Sequence, residues 1–195
     1  YLASNLTGYS ATPFVVTYSP TGDNSFRAKS TLSAGLTPTC VIIFDLNRDS
    51  KPDLVVGNSN NTVSIFQNAT TSGATATTFG TAISLSGVAG SVSSSVVVGD
   101  VDEDGLPDLV LVNSGSGVVS IFRNVSVGGA ISFTTQALSF STGTSPSAIA
   151  MADLDGDGRL DLAVANSGSG NVFLFRNQSV SGTMAFASAQ TLTVG

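Results

Sequence analysis

The sequence predicts an all-β fold, a propeller-like array of four-stranded antiparallel blades. Three observations predict it. A nine-residue acidic motif occurs at residues 45–53, 100–108 and 153–161, so the first aspartates stand 55 and 53 residues apart. Each motif is followed by an Asn/Gly/Ser turn and then by an alternating strand of the same type. No stretch sustains a 3.6-residue period, and Gly, Ser, Thr and Val dominate the composition. Four short strands in each ~50-residue repeat is the pattern of a propeller blade.

Taken in order, residues 1–35 read as an incomplete first blade. Tyr1-Leu2-Ala3-Ser4-Asn5 resembles the strand after an acidic loop, and residues 14–18 resemble the alternating strand. Residues 26–35 match the last strand of a blade, with the Phe-to-Leu-to-Gly spacing of Phe186, Leu192 and Gly195. The chain starts at Tyr1 and not at Met, which reads as a processed product or a fragment.

Three full blades follow, over residues 36–89, 90–143 and 144–195. Each opens with an apolar strand, Val41-Ile42-Ile43-Phe44, Val96-Val97-Val98 or Ala148-Ile149-Ala150-Met151. The acidic loop comes next. A second apolar strand follows it: Leu54-Val55-Val56, Leu109-Val110-Leu111-Val112 or Leu162-Ala163-Val164. Both flanks read as buried strands. After a turn at Asn58-Ser59, Asn113-Ser114 or Asn166-Ser167, a third strand runs to Asn68, Asn124 or Asn177. The fourth begins near Phe79, Phe133 or Phe186 and ends at Gly87, Gly143 or Gly195.

A missing strand leaves an open edge, and repeat units cannot bury their faces alone. Three completions stay open: a cut from a longer propeller, two copies forming one ring, or copies joined end to end in a fibre. Association with other copies of this chain is therefore an expectation.

Charge is unevenly spent. The chain has 13 acidic and 7 basic residues, and 12 of the acids lie inside the three loops, with Asp23 the exception. The basic residues form no patch, so nucleic-acid binding is not expected. No apolar run reaches the ~18 residues of a membrane-spanning helix, so no membrane insertion is expected. The one cysteine, Cys40, starts an apolar strand and reads as a small core residue.

Carboxylates at positions 1, 3, 5 and 9 of a short loop repel one another unless a cation lies between them. Hard oxygen donors at alternate positions, with Gly to permit a tight turn, suit Ca²⁺. The closing acid is an Asp at position 9 between strands, not the Glu at position 12 between helices of an EF-hand. About one Ca²⁺ per loop is expected, three in all. The competing reading makes the loops plain Asx turns. Ca²⁺ outside the cell is abundant, which favours an extracellular, secreted or cell-surface location.

The Asp-x-Asp-x-Asp-Gly-x-x-Asp loop between strands, followed by a turn and Val-x-Ile-Phe-x-Asn, resembles the FG-GAP/VCBS repeats, whose best-known relative is the integrin α-chain propeller. The resemblance covers nearly the whole chain. It implies a β-propeller with one Ca²⁺ per loop, in an extracellular protein of adhesion, recognition or scaffolding. Its ligands fall on Asp153, Asp155, Asp157 and Asp161 with the carbonyl of Arg159, and on Asp100, Asp102, Asp104 and Asp108 with that of Leu106. In the first loop they fall on Asp45, Asn47, Asp49 and Asp53 with the carbonyl of Lys51. There Asn47 replaces an Asp and Ser50 replaces the Gly, so this site is expected to be the weakest.

Five N-glycosylation sequons occur, at Asn5, Asn60, Asn68, Asn124 and Asn177. The last three recur at one repeat position, either through duplication alone or as a glycan row on one face. An enzyme is not expected: the chain has no His, and its only Glu is Glu103. The sequence reading is a secreted, calcium-stabilised structural or adhesion module. A carbohydrate-binding, lectin-type propeller is the alternative, and extracellular glycans or a surface protein are its candidate partners.

Overall fold

The chain divides into two compact units, Tyr1–Leu32 and Ser33–Gly195. A computed structural model describes residues 31–60, 62–74, 76–86, 93–134 and 138–194. The expectations for residues 1–30, including Asn5, lie outside the described residues.

Within the second unit, three four-stranded antiparallel sheets follow one another along the chain. Sheet 1 holds β1 (Pro38–Phe44), β2 (Asp53–Asn58), β3 (Thr62–Phe66) and β4 (Ile83–Ser86). Sheet 2 holds β5 (Ser93–Gly99), β6 (Asp108–Asn113), β7 (Val118–Phe122) and β8 (Leu138–Ser141). Sheet 3 holds β9 (Pro146–Ala152), β10 (Asp161–Asn166), β11 (Asn171–Phe175) and β12 (Gln190–Thr193). In every sheet each strand pairs with its neighbour in sequence. No helix among the described residues is long and apolar enough to cross a membrane.

The register is the same in all three. Across the first two strands Ile42 pairs with Val55, Val97 with Val110, and Ala150 with Ala163. Each first strand is also irregular near its start, opposite the end of the second.

Period-2 alternation explains how the sheets pack. Along β6, Leu109 and Leu111 face one way and join Val55, Val63 and Ile65 of sheet 1 in a core. Val110 and Val112 face the other way and join Leu162, Val164 and Phe175 of sheet 3 in a second core. Every residue of β6 is buried. A strand covered on both faces reads as an unbroken apolar run, because neither face can be polar. Cys40 is free and packs partly buried against the first core.

Two expectations need correction. The first strand of a blade is less covered than the second: β1 and β9 are largely exposed, while β2 and β6 are buried. The fourth strands also start later than expected. Phe79, Phe133 and Phe186 form isolated bridges to Asn68, Asn124 and Asn177. Among the described residues, regular pairing resumes at Ile83, Leu138 and Gln190. Phe133 is buried in the first core, and Phe186 packs against the second.

Candidate metal centre

Each acidic loop joins the first two strands of its sheet, and one residue organises it. The ninth-position aspartate is buried in all three loops, as Asp53, Asp108 and Asp161. One carboxylate oxygen accepts the backbone N–H of the second loop residue: Leu46 at 3.0 Å, Val101 at 2.9 Å and Leu154 at 3.0 Å. The other accepts the backbone N–H of the asparagine after the third strand, Asn68, Asn124 or Asn177, at 2.8 Å in each case. The carboxylate thus ties the loop to the third strand of its own sheet. Burial pushes the Asp108 carboxyl up to about 7, against the lowering pull of the amides of Asn124 and Val101. Burial likewise raises Asp53.

The first-position aspartates fold the loop. Asp45 accepts the N–H of Ser50 at 2.8 Å, Asp100 that of Gly105 at 2.8 Å, and Asp153 that of Gly158 at 3.0 Å. That sixth position has positive φ throughout: 66° at Ser50, 91° at Gly105 and 90° at Gly158. The fourth is left-handed too, at Arg48, Glu103 and Gly156. Glycine enters this region without a Cβ clash, while other residues are strained there. The first loop keeps the shape with two non-glycine residues.

Asp100, Asp102 and Asp108 each place one carboxylate oxygen within 4.8 Å of the others, and so do Asp153, Asp155 and Asp161. These are the groups of three metal-type donors among the described residues. Oxygens ligating one Ca²⁺ at ~2.3–2.6 Å lie about that close together. Asp100 Oδ1 is buried without a hydrogen-bond partner, which suits an oxygen that ligates a cation. The second and third loops therefore fit a hard divalent ion. In the first, Asn47 directs its amide Nδ2 to the Gly129 carbonyl at 2.6 Å, and no such group forms around Asp45, Asp49 and Asp53.

The fifth-position aspartates do not join the groups of three. Asp104 accepts the Leu106 N–H at 2.8 Å and Arg123 Nη2 at 2.7 Å, while Asp102 accepts Arg123 Nε at 2.5 Å. In the third loop Arg176 bridges Asp155 and Asp157 in the same way. The backbone N–H of Arg159, with the charges of Arg159 and Arg176, holds Asp157 below the usual carboxylate range. The seventh residues Lys51, Leu106 and Arg159 donate their N–H groups to Asp49, Asp104 and Asp157.

Sequence reasoning missed these arginines, although a signal was present. Arg123 and Arg176 directly precede the recurrent asparagine and accompany Asp at the third loop position. Where that position is Asn47, the matching residue is Gln67. Gln67 joins Asn47 on the Gly129 carbonyl.

The asparagines themselves correct the glycan expectation. Asn124 and Asn177 are fully buried. The Nδ2 of Asn124, where a sugar would be attached, donates to Leu46 O and Pro107 O, both at 2.8 Å. That of Asn177 donates to Val101 O at 2.8 Å and Leu160 O at 3.0 Å. Each therefore spans two acidic loops, its own and that of the preceding sheet, and leaves no room for a glycan. Asn68 donates to Pro52 O of its own loop in a more open setting, and Asn60 is exposed.

No curated protein matches the chain. The FG-GAP-like repeat model matches it three times, over residues 45–111, 100–164 and 153–195. Each match starts at the first aspartate of an acidic loop, and together they take in every strand from β2 to β12, so the chain belongs to the FG-GAP-like repeat family.

Proposed function

We propose that this chain is an extracellular, calcium-stabilised structural or adhesion module that associates with copies of itself, and that it is not an enzyme. The convergence of Asp100, Asp102 and Asp108, repeated at Asp153, Asp155 and Asp161, carries the calcium reading. These residues would hold the ion in the second and third loops, and the first loop would bind most weakly. A bound cation offsets carboxylate repulsion between the first two strands of each sheet and stabilises the fold by mass action. Acids committed to such loops leave few groups for acid–base chemistry. Glycans, if present on this face, would sit at Asn60 or Asn68.

The test is a melting curve with and without chelator, paired with calorimetric titration of Ca²⁺ into chelated protein. Two stronger sites and a clear rise in Tm are expected. An unchanged Tm and no heat of binding would overturn the calcium reading.

A further inference from the structure

We propose that the joint between sheets 2 and 3 is locked by the cation of the second acidic loop, whereas the joint between sheets 1 and 2 is locked by two side-chain amides that need no ion. This deepens the calcium reading, on which it rests, by naming the part of the fold that the second site holds.

Hairpins over residues 125–132 and 178–185 lead from the third to the fourth strand of sheets 2 and 3. Val127 and Ala130 exchange backbone hydrogen bonds in the first, and Val180 and Thr183 do so in the second. Gly129 and Gly182 thus take the same tip position, with φ of 83° and 76°. Each tip reaches back to the acidic loop of the preceding sheet. Asn124 and Asn177 cross both joints alike, donating to the Leu46 and Val101 carbonyls. The difference lies in the tips.

At the first loop the tip offers a carbonyl. Asn47 Nδ2 and Gln67 Nε2 both donate to Gly129 O, at 2.6 and 2.7 Å. Asn47 is the third loop residue and Gln67 follows β3, so two parts of sheet 1 grip one atom of sheet 2. A neutral amide donates alike with or without a cation nearby, so this pair joins the sheets unaided.

At the second loop the tip offers an N–H instead. Gly182 donates to the backbone carbonyl of Asp102 at 3.0 Å. Asp102 and Arg123, at the positions of Asn47 and Gln67, bind each other. A Cβ on Gly182 would stand 3.1 Å from Arg123 Nη2, so the tip sits beside this ion pair. The tip therefore hangs on the backbone of a residue whose carboxylate oxygen lies within 4.8 Å of oxygens of Asp100 and Asp108. Like charges that close repel unless a cation lies between them. Arg123 supplies one positive charge to Asp102 and Asp104. Without the ion, spreading of the remaining charge moves Asp102 and the carbonyl that holds sheet 3.

Hydrogen–deuterium exchange tests this on peptides covering residues 125–132 and 178–185, with Ca²⁺ and with chelator, at mildly alkaline pH where the aspartates are ionised. A tip that opens only after the ion leaves exchanges more slowly by the factor that binding supplies, about 100-fold at Ca²⁺ ~100 times Kd. That slowing is expected at 178–185 and not at 125–132. Asp102→Asn should abolish it at 178–185 while calorimetry still finds the ion in the third loop. Gln67→Ala should speed exchange at 125–132 equally in both conditions. Circular dichroism checks folding, and if Asp102→Asn does not fold, the wild-type and Gln67→Ala comparisons decide. Ca²⁺ binding with equal slowing of both hairpins, or of neither, would overturn this division and leave the calcium reading standing. Slowing that survives Asp102→Asn would do the same. No heat of binding would overturn both.

Discussion

Replacing Asn124 by Ala isolates the contact that joins neighbouring loops. The side chain is fully buried, and its Nδ2 donates to the Leu46 and Pro107 carbonyls at 2.8 Å each. Its Oδ1 accepts the Ser126 N–H at 2.9 Å. Alanine leaves both carbonyls buried and unpaired, at ~1–3 kcal/mol each, for a loss of about 3–5 kcal/mol. For a domain of this size 1 kcal/mol shifts Tm by ~2–4 °C, so a drop of roughly 10–15 °C is expected. Asn68→Ala is the internal control. Asn68 makes one such carbonyl contact, in an exposed setting, and its loss should cost under ~1 kcal/mol. Differential scanning calorimetry in Ca²⁺ and in chelator measures both. If Asn124→Ala melts within a few degrees of wild type, or no lower than Asn68→Ala, the bridging role is wrong.

Three other outcomes are expected. Ser50→Gly relieves a side chain at φ 66°, gaining ~1–2 kcal/mol of strain and losing ~0.5–1 kcal/mol to chain entropy, so a denaturant midpoint should rise slightly. Arg123→Gln leaves buried Asp102 without its cation, so the Tm difference between calcium-loaded and chelated protein should widen relative to wild type. In chelator, Asp108 keeps its proton in the fold up to about pH 7, while the unfolded chain releases it near pH 4. Its contribution to stability therefore falls as pH rises through that window. Denaturation at pH 5 and pH 8 should show a decline that Asp108→Asn flattens.

Much of the architecture was legible because strands and loops repeat at a fixed period. Three copies of the loop located the turns, apolar runs located the second strands, and alternation located the third. The exposure of β1 was not legible. Val41 and Ile43 are as apolar as Val96 and Val98, yet Val96 and Val98 pack into the first core while Val41 and Ile43 are exposed. The loops were legible as acidic donor sets, but their division of labour was not. Asp104 and Asp157 have the same residue type as Asp102 and Asp155 and share Arg123 and Arg176 with them, so residue type does not reveal which of each pair joins the group of three. Asn124 and Asn177 misled because Asn-x-Ser is shared by sugar acceptors and by buried amides. Here Ser126 and Ser179 serve the fold, each offering its N–H to the asparagine oxygen.

The nearest-neighbour order of all three sheets bears on how the chain reaches its native state. Every strand pairs with the segment made just before or after it, so each ladder closes over a short stretch of polypeptide. Low contact order of this kind favours fast, sequential folding for an all-β protein. A blade could assemble as it leaves the ribosome, and the next would then find a finished apolar template on which to settle.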